Sequence, residues 1–242
     1  MLWIGTAGWA IRREHAGQFE SEGSHLARYA ARLNAAEINS SFYRPHRPAT
    51  YARWARETPE DFRFAVKLPR AITHDARLKN ASLPLRKFLG ECGALEEKLG
   101  CILIQLPPSL KWDKETAQDF FAEFREAYAG AAALEPRHES WFTNDADKML
   151  SRFRIARVAA DPIPAKMKHV AQAAEPGGFD GFRYWRLHGS PRIYYSNYES
   201  EFLRALAKRL AKEARTKDVW CIFDNTALGH ATANALEMMK YA

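Results

Sequence analysis

Side chains that can exchange protons recur along this sequence directly after short apolar runs. Carboxylates occur at Glu37, Glu135 and Asp224, and imidazoles occur at His138 and His188. Two carboxylates whose surroundings separate their pKa values can act as the acid and the base of one reaction, and histidine can take either role near neutral pH. We therefore predict these five residues as the catalytic set.

A second set of side chains could bind a polar or charged substrate. Arginine has a planar guanidinium that suits phosphate and carboxylate, and Lys67 could act as a nucleophile if it is desolvated. The predicted substrate-binding residues are Asn39, Tyr43, Lys67, His74, Gln105, Arg137, Trp141, Arg186 and Asn225. Because the positive groups exceed what the carboxylates easily neutralise, with each carboxylate pairing with one cation, we expect an oxyanion within hydrogen-bonding reach of Arg137 or Arg186.

Structural roles compete with these functional ones. Glu37 and Glu135 lie at buried strand ends, where pairing with an arginine would make them part of the core. His138 and His188 could be hydrogen-bonded core residues. Asn225 could cap the last helix, Lys67 could form a salt bridge, and Trp141 could serve mainly as aromatic bulk.

The elements that must position these residues alternate between short apolar runs and longer amphipathic stretches. Helical spacing follows most of the runs, as in the stripe of Leu85, Phe88, Leu89 and Cys92. The predicted strands are Leu2–Thr6, Ala36–Ile38, Phe62–Val66, Cys101–Gln105, Ala131–Glu135, Ile155–Ala160, Phe182–Leu187 and Val219–Phe223. Such alternation indicates βαβ units and a parallel sheet.

Eight strands without a long unpaired edge favour a single (β/α)8 TIM-type barrel over an open sheet. The 242 residues fit one such α/β domain, residues 1–242, since this barrel typically takes about 250 residues. The stretch Asp161–Gly181 is rich in proline and glycine, so we expect a long loop there and an irregular or missing sixth helix. Barrel active sites lie at the carboxyl ends of the strands, so the polar residues are predicted to line one mouth.

Composition sets limits on location and partners. The formal charge of +7 favours anionic partners, and no apolar run is long enough to span a bilayer. The first residues resemble a strand and not a signal peptide, so we expect a cytoplasmic protein without membrane association. The three cysteines, Cys92, Cys101 and Cys221, are scattered, which predicts buried reduced thiols and no disulfide framework.

Eight ordered motifs resemble the YecE-like family, which is catalogued as a domain of unknown function. They are Gly5-Thr6-Ala7-Gly8-Trp9, Glu37-Ile38-Asn39-Ser40-Ser41-Phe42-Tyr43-Arg44, Phe64-Ala65-Val66-Lys67, Ile72-Thr73-His74, Gln105-Leu106-Pro107-Pro108-Ser109, Glu135-Pro136-Arg137-His138 with Trp141, Arg186-Leu187-His188-Gly189 and Phe223-Asp224-Asn225-Thr226. Where Ala7 stands, the family often has a serine. The resemblance implies a TIM-barrel-like fold and a common site at these strand ends, and it implies no particular reaction.

Three functions from different classes are compatible with these residues. The first is binding or processing of a small phosphorylated or carboxylated substrate. The second is a metal-dependent phosphodiesterase or nuclease, for which Glu37, Glu135, His138, His188 and Asp224 are suitable ligand types. The third is a non-catalytic nucleic-acid-binding protein. Tight metal-ligand spacings and glycine-rich phosphate motifs do not occur in the sequence, so we predict neither a tightly held metal nor a cofactor.

Overall fold

The computed structural model describes residues 1–242, in which most strands are followed by an α-helix. The strands are β1 (Leu2–Ala7), β2 (Ala35–Ile38), β3 (Arg63–Lys67), β4 (Leu99–Gln105), β5 (Ala132–Glu135), β6 (Ile155–Arg157), β7 (Ala159–Asp161), β8 (Gly177–Gly178), β9 (Phe182–Leu187) and β10 (Asp218–Phe223). The α-helices are α1 (His25–Ala30), α2 (Pro48–Arg56), α3 (Ser82–Cys92), α4 (Lys114–Ala127), α5 (Asn144–Arg152), α6 (Ser200–Glu213) and α7 (His230–Met238).

The ten strands form one mixed sheet that is nearly closed into a barrel. Its order is β7-β9-β10-β1-β2-β3-β4-β5-β6-β8, and every pair is parallel except β6 with β8. The segment 155–161 pairs with β5 through β6 and with β9 through β7, and only Val158 separates these two short strands. The chain is therefore an α/β protein whose sheet almost completes a ring.

The strand count differs from the eight that the sequence predicts. The expected sixth strand, Ile155–Ala160, is divided at Val158, whose backbone N–H still donates to Leu134 O of β5 at 2.8 Å. Beyond Val158 the chain leaves β5 and bonds to β9. The segment is short and lies between β5 and β9, and it does not pair with either strand along its whole length. Gly177–Gly178 adds the remaining strand by pairing antiparallel with β6.

The stretch between β7 and β9 contains no α-helix. Two short 3-10 turns, Ala165–Met167 and Ala171–Ala174, take the place of the sixth crossover helix. Prolines supply no backbone N–H for a helix ladder, which agrees with the expected irregularity. The buried Arg157 ties this stretch down, since its Nη1 donates to Gln172 O at 2.7 Å and its Nε pairs with Asp147 at 2.9 Å.

Alternation along the strands separates two apolar layers. One set of side chains packs against the helices in the large core, and the other points into the barrel interior and forms a separate buried cluster. Small residues fill that interior at Ala35, Ala65 and Ala133. Two positions further along their strands stand Glu37, Lys67 and Glu135, so the candidate site is the polar layer above this apolar floor.

Two further findings concern the cysteines and the helices. Cys92, Cys101 and Cys221 are buried and free, as their scattered positions predict. No helix in residues 1–242 combines the length and the apolar character that crossing a membrane requires.

A glycine at position 5 permits the close approach of β1 and β2. A Cβ at this position would lie 2.0 Å from the backbone oxygen of Ala35. We expect Gly5→Ala to lower the free energy of unfolding by about 2 kcal/mol, because two paired strands would have to move apart. Urea denaturation measures this loss. Gly90→Ala on the exposed side of α3 is the matched control and should be neutral or stabilising, since nothing lies within 4 Å of the added carbon; equal losses in both variants would contradict the packing argument.

Candidate functional site

Arg186 of β9 lies at the centre of the polar layer and is fully buried. Its guanidinium forms a bidentate pair with Glu37, with Nε–Oε2 at 3.0 Å and Nη2–Oε1 at 2.7 Å. Nη1 donates to Glu135 Oε2 at 2.6 Å, and Nη2 also donates to Asp224 Oδ2 at 2.9 Å. One cation therefore binds three carboxylates from three different strand ends, where the sequence predicts that each carboxylate pairs with its own cation.

His188 lies between two of these carboxylates. Its Nδ1 is 3.1 Å from Asp224 Oδ2, and its Nε2 is 2.9 Å from Glu135 Oε1 and 3.1 Å from Arg137 Nη2. The ring therefore connects the carboxylates of Asp224 and Glu135 and also contacts the guanidinium of Arg137.

Glu135 accepts hydrogen bonds from four side chains. In addition to Arg186 and His188, it is 2.6 Å from Arg137 Nη2 and accepts from Gln105 Nε2 at 2.8 Å. Burial alone would raise the pKa of Glu135, but the charges of Arg137, Arg186 and His188 hold this pKa well below its usual range. Burial likewise tends to raise the pKa of Asp224, but Arg186 and His188 outweigh burial and lower this pKa. Both groups are therefore carboxylates at neutral pH.

Lys67 differs from the two arginines because no carboxylate lies within salt-bridge distance and no side chain or carbonyl accepts from its Nζ. It is 6% exposed at the end of β3, and Nζ lies 4.3 Å from the centre of the Phe42 ring. Burial and the nearby Arg186 lower the pKa of Lys67 to about 8, although Glu37, Glu135 and Asp224 oppose this change. Lys67 is therefore a buried amine close to its titration point, without the salt bridge that the sequence allowed.

Arg137 has N–H groups that no protein acceptor uses. Its Nη2 contacts Glu135 and His188, but its Nε is buried without a hydrogen-bond partner. Buried donors nearly always have a partner in folded proteins, so this N–H is a donor that the protein itself does not use. Arg137 also lines a cavity of about 550 Å³, together with Pro108, Ser109, His138, Glu139, Pro164, Ala165, Lys166 and Met167.

Three other predicted residues lie around the mouth. His74 belongs to a π-helical turn, Ala71–Asp75, and burial together with the charges of Lys67 and Arg70 lowers its pKa. Asn39 follows β2, and its buried Oδ1 has no partner. His138 lines the cavity, but its Nδ1 accepts from the backbone N–H of Ser140 at 3.2 Å and so begins a 3-10 turn.

The structure does not bring three of the predicted substrate-binding residues into the cluster. Tyr43 is 75% exposed, and its ring packs edge-on with that of Phe42. Trp141 is 1% exposed and donates to Leu110 O at 2.9 Å, so it is a core residue beneath the loops. Asn225 donates to Ser196 O and to Asn234 of α7 at 2.9 Å each, so it ties the loop after β10 to the loop before α6 and to the interior of α7, and its side chain does not cap that helix.

Arg186 also departs from its predicted role as an anion ligand. Four of its N–H bonds go to internal carboxylates and its side chain has no exposed surface. The excess of free positive charge expected at the mouth is correspondingly smaller, and it rests on Arg137 and Lys67.

Sequence reasoning missed two tyrosines and the phenylalanine that contacts Lys67. Tyr184 donates to Glu37 Oε2 at 3.0 Å, and it stands two positions before Arg186 on the same inward-facing side of β9, a spacing that could have identified it. Tyr194 places its ring edge-on to His188, with centroids 6.0 Å apart, and adopts a left-handed φ of 71°. Nothing in the sequence around Tyr194 indicates this conformation.

The carboxylates and histidines do not form a recognisable metal centre. Within residues 1–242, no three His, Cys, Asp or Glu side chains are arranged so that they could hold a metal ion. The guanidinium of Arg186 already stands where the three carboxylates converge, so a divalent cation at this point would have to displace it.

Comparison with known proteins agrees with this fold. The profile of the family described as "Protein of unknown function DUF72" matches residues 3–242. YecE of Escherichia coli K12 is 31% identical over 107 residues, which span 44% of this chain and 38% of that protein, so only a minor part of its length is matched. YunF of Bacillus subtilis 168 is 23% identical over 99% of this chain and 94% of that protein.

Two crystal structures of DUF72 family proteins have the same fold. The one from Enterococcus faecalis V583 superposes with a TM-score of 0.80 at 20% identity and covers 100% of this chain and 95% of that chain. The one from Thermotoga maritima MSB8 gives 0.79 at 24% identity, covering 99% and 98% respectively. With the family profile spanning nearly every residue, this chain belongs to the DUF72 family.

Proposed function

We propose that the mouth of the barrel binds a small anionic compound, phosphorylated or carboxylated, with Arg137 as its main anchor. The observation that carries this proposal is the buried Arg137 Nε without a partner, at the edge of a cavity of about 550 Å³. An unpaired buried guanidinium N–H is expensive to leave unsatisfied. A carboxylate or phosphate oxygen would satisfy it and would bring two acceptors to the planar fork.

The surrounding groups support an anion in preference to a cation at this position. The acceptor oxygens of Glu37 and Glu135 are occupied by Arg186, Arg137, Gln105, His188 and Tyr184. The exposed Lys166 lines the same cavity and adds a donor there, and Lys67 stands at the end of β3 on the same mouth of the barrel. A ligand at the mouth therefore meets mainly N–H groups.

We also infer that the sheet is a variant of the (β/α)8 barrel. Its supporting feature is the segment 155–161, which occupies the place of one strand between β5 and β9 and changes partner at Val158. The site would then occupy the carboxyl mouth where barrel enzymes bind their substrates, and fold alone would not identify the reaction.

The test is stabilisation by simple oxyanions. Phosphate, sulfate, pyruvate and glycerol phosphate are titrated, and the thermal midpoint is followed. At about 100 times the Kd we expect a gain of about 2.7 kcal/mol in the free energy of unfolding for a binding anion. Arg137→Met should weaken that anion at least about tenfold, the effect of losing roughly 1.4 kcal/mol of charge-assisted hydrogen bonding.

The matched control is Arg86→Met on α3, which removes a guanidinium remote from the mouth and paired only with Glu126. Its anion affinities should equal those of the wild type. If no oxyanion stabilises the wild type, or if Arg137→Met and wild type respond alike, the anion site is not at Arg137.

A further inference from the structure

We propose that Lys67 forms an imine with an aldehyde or ketone group of the bound anion, which makes the substrate a short oxo acid or a phosphorylated carbonyl compound. The identity of the anionic end rests on the proposed function above. The imine itself depends on Lys67 and can be tested without any anion.

The surroundings of Lys67 distinguish it from the other cations of the site. Arg186 contacts three carboxylates and Arg137 contacts Glu135, whereas Lys67 Nζ has neither an ion pair nor a hydrogen bond. A structural lysine in a buried carboxylate cluster would be expected to form a salt bridge. An amine left without an acceptor retains its lone pair for an incoming carbon atom once it has lost its proton.

The position of Lys67 suits a substrate that also contacts Arg137. Lys67 ends β3 and Arg137 follows the end of β5 by two residues, so both stand at the carboxyl mouth of the barrel with β4 between their strands. A short compound anchored through its acidic group at Arg137 could direct its carbonyl carbon toward Nζ. The Phe42 ring, 4.3 Å from Nζ, covers one side of the amine with an apolar surface.

Burial makes the neutral amine accessible near physiological pH. With a pKa of about 8, the uncharged fraction of Lys67 at pH 7.5 is on the order of 100-fold larger than that of an ordinary exposed lysine of pKa about 10.4. Desolvation and a neighbouring cation are the two established ways to activate a lysine for attack on a carbonyl group, and Lys67 has both, the second from Arg186.

The step balances without an external reactant. The Nζ lone pair forms a C–N bond as the carbonyl π electrons move to oxygen, and one nitrogen proton passes to that oxygen. Loss of the hydroxyl with a second proton releases water and leaves a C=N bond. His74 is the rim group suited to carry the proton, since its Nδ1 is held by Thr73 Oγ1 at 2.8 Å and its Nε2 has no partner.

The experiment traps the imine by reduction. Wild-type protein is incubated at pH 7.5 with acetaldehyde or with glyoxylate, treated with sodium cyanoborohydride, digested, and mapped by mass spectrometry. We expect reductive alkylation at Lys67 to be about tenfold or more faster than at Lys114 and Lys208, which are exposed on α4 and α6 and serve as internal standards. Lys67→Met should lose only this adduct.

Two probes separate this inference from the proposed function. Acetaldehyde carries no charge, so its adduct at Lys67 should persist in Arg137→Met, whereas the glyoxylate adduct should fall at least about tenfold there if the carboxylate binds Arg137. If acetaldehyde labels Lys67 preferentially but Arg137→Met does not reduce the glyoxylate adduct, the imine proposal stands and Arg137 is not the anion anchor. Labelling of Lys67 no faster than Lys114 and Lys208 with either probe overturns the imine.

Discussion

Replacement of Arg186 by methionine is expected to lower the free energy of unfolding by about 3–5 kcal/mol or to prevent folding altogether. The substitution leaves Glu37, Glu135 and Asp224 together in the barrel interior, where each would be short of a donor. Buried carboxylates without a cation repel one another and are poorly solvated. Urea denaturation at pH 7, followed by circular dichroism, measures the loss.

Arg86→Met is the control for the loss of an arginine ion pair as such. Arg86 pairs with Glu126 on the surface, with side chains 54% and 69% exposed, and such pairs contribute at most about 1 kcal/mol.

The loss of stability in Arg186→Met should become smaller as the pH is lowered, because protonation removes the negative charges that the substitution leaves unpaired. Similar small losses in both arginine variants would mean that the carboxylates are not held by Arg186.

The wild-type carboxylates show the opposite pH dependence. The pKa values of Glu135 and Asp224 are lowered in the folded protein, so the unfolded chain binds protons first as the pH falls below about 4.5. Their contribution to stability is therefore complete near neutral pH and is lost under acid conditions. This acid sensitivity belongs to the same network that Arg186 organises.

Most of the fold was predictable because buried strands and amphipathic helices have different periods. The inward positions of β2, β3 and β5 follow from alternation, and this places Glu37, Lys67 and Glu135 in one layer. The irregular stretch between β7 and β9 was predictable from its prolines and glycines. The partner change at Val158 was not, since a continuous apolar run does not record which neighbour each residue bonds.

The pairing within the site could not be predicted from local sequence. Arg186 bonds to Glu37 and Glu135, which are 149 and 51 residues away along the chain, so only the closure of the sheet determines its partners. The positions of Tyr43 and Trp141 show the same limit. Both follow strand ends in the sequence, but the short turns after β2 and β5 direct one ring to solvent and bury the other.

Substitution of Lys67 by methionine should have the opposite effect from that of Arg186, stabilising the protein by about 3 kcal/mol at pH 7. The pKa of Lys67 falls from an ordinary 10.5 to about 8 on folding, and each pKa unit corresponds to about 1.4 kcal/mol. The charged form of Lys67 therefore lowers the stability of the folded protein, because burial and Arg186 outweigh the attraction of Glu37, Glu135 and Asp224. Methionine keeps the length and the contact with Phe42 without the charge.

The pH dependence identifies this effect. Between about pH 8 and pH 10.5 the unfolded Lys67 holds a proton that the folded one has released, so wild-type stability rises with pH relative to Lys67→Met and the two converge above that range. Urea denaturation at pH 7, 8.5 and 10 measures this difference, and Lys114→Met on the exposed side of α4 should stay within about 0.5 kcal/mol of wild type throughout. A Lys67→Met protein less stable than wild type at pH 7 would show that the ammonium is a structural partner of the carboxylates. A stabilised variant would instead show that Lys67 weakens the fold, a cost expected of a group positioned for a ligand.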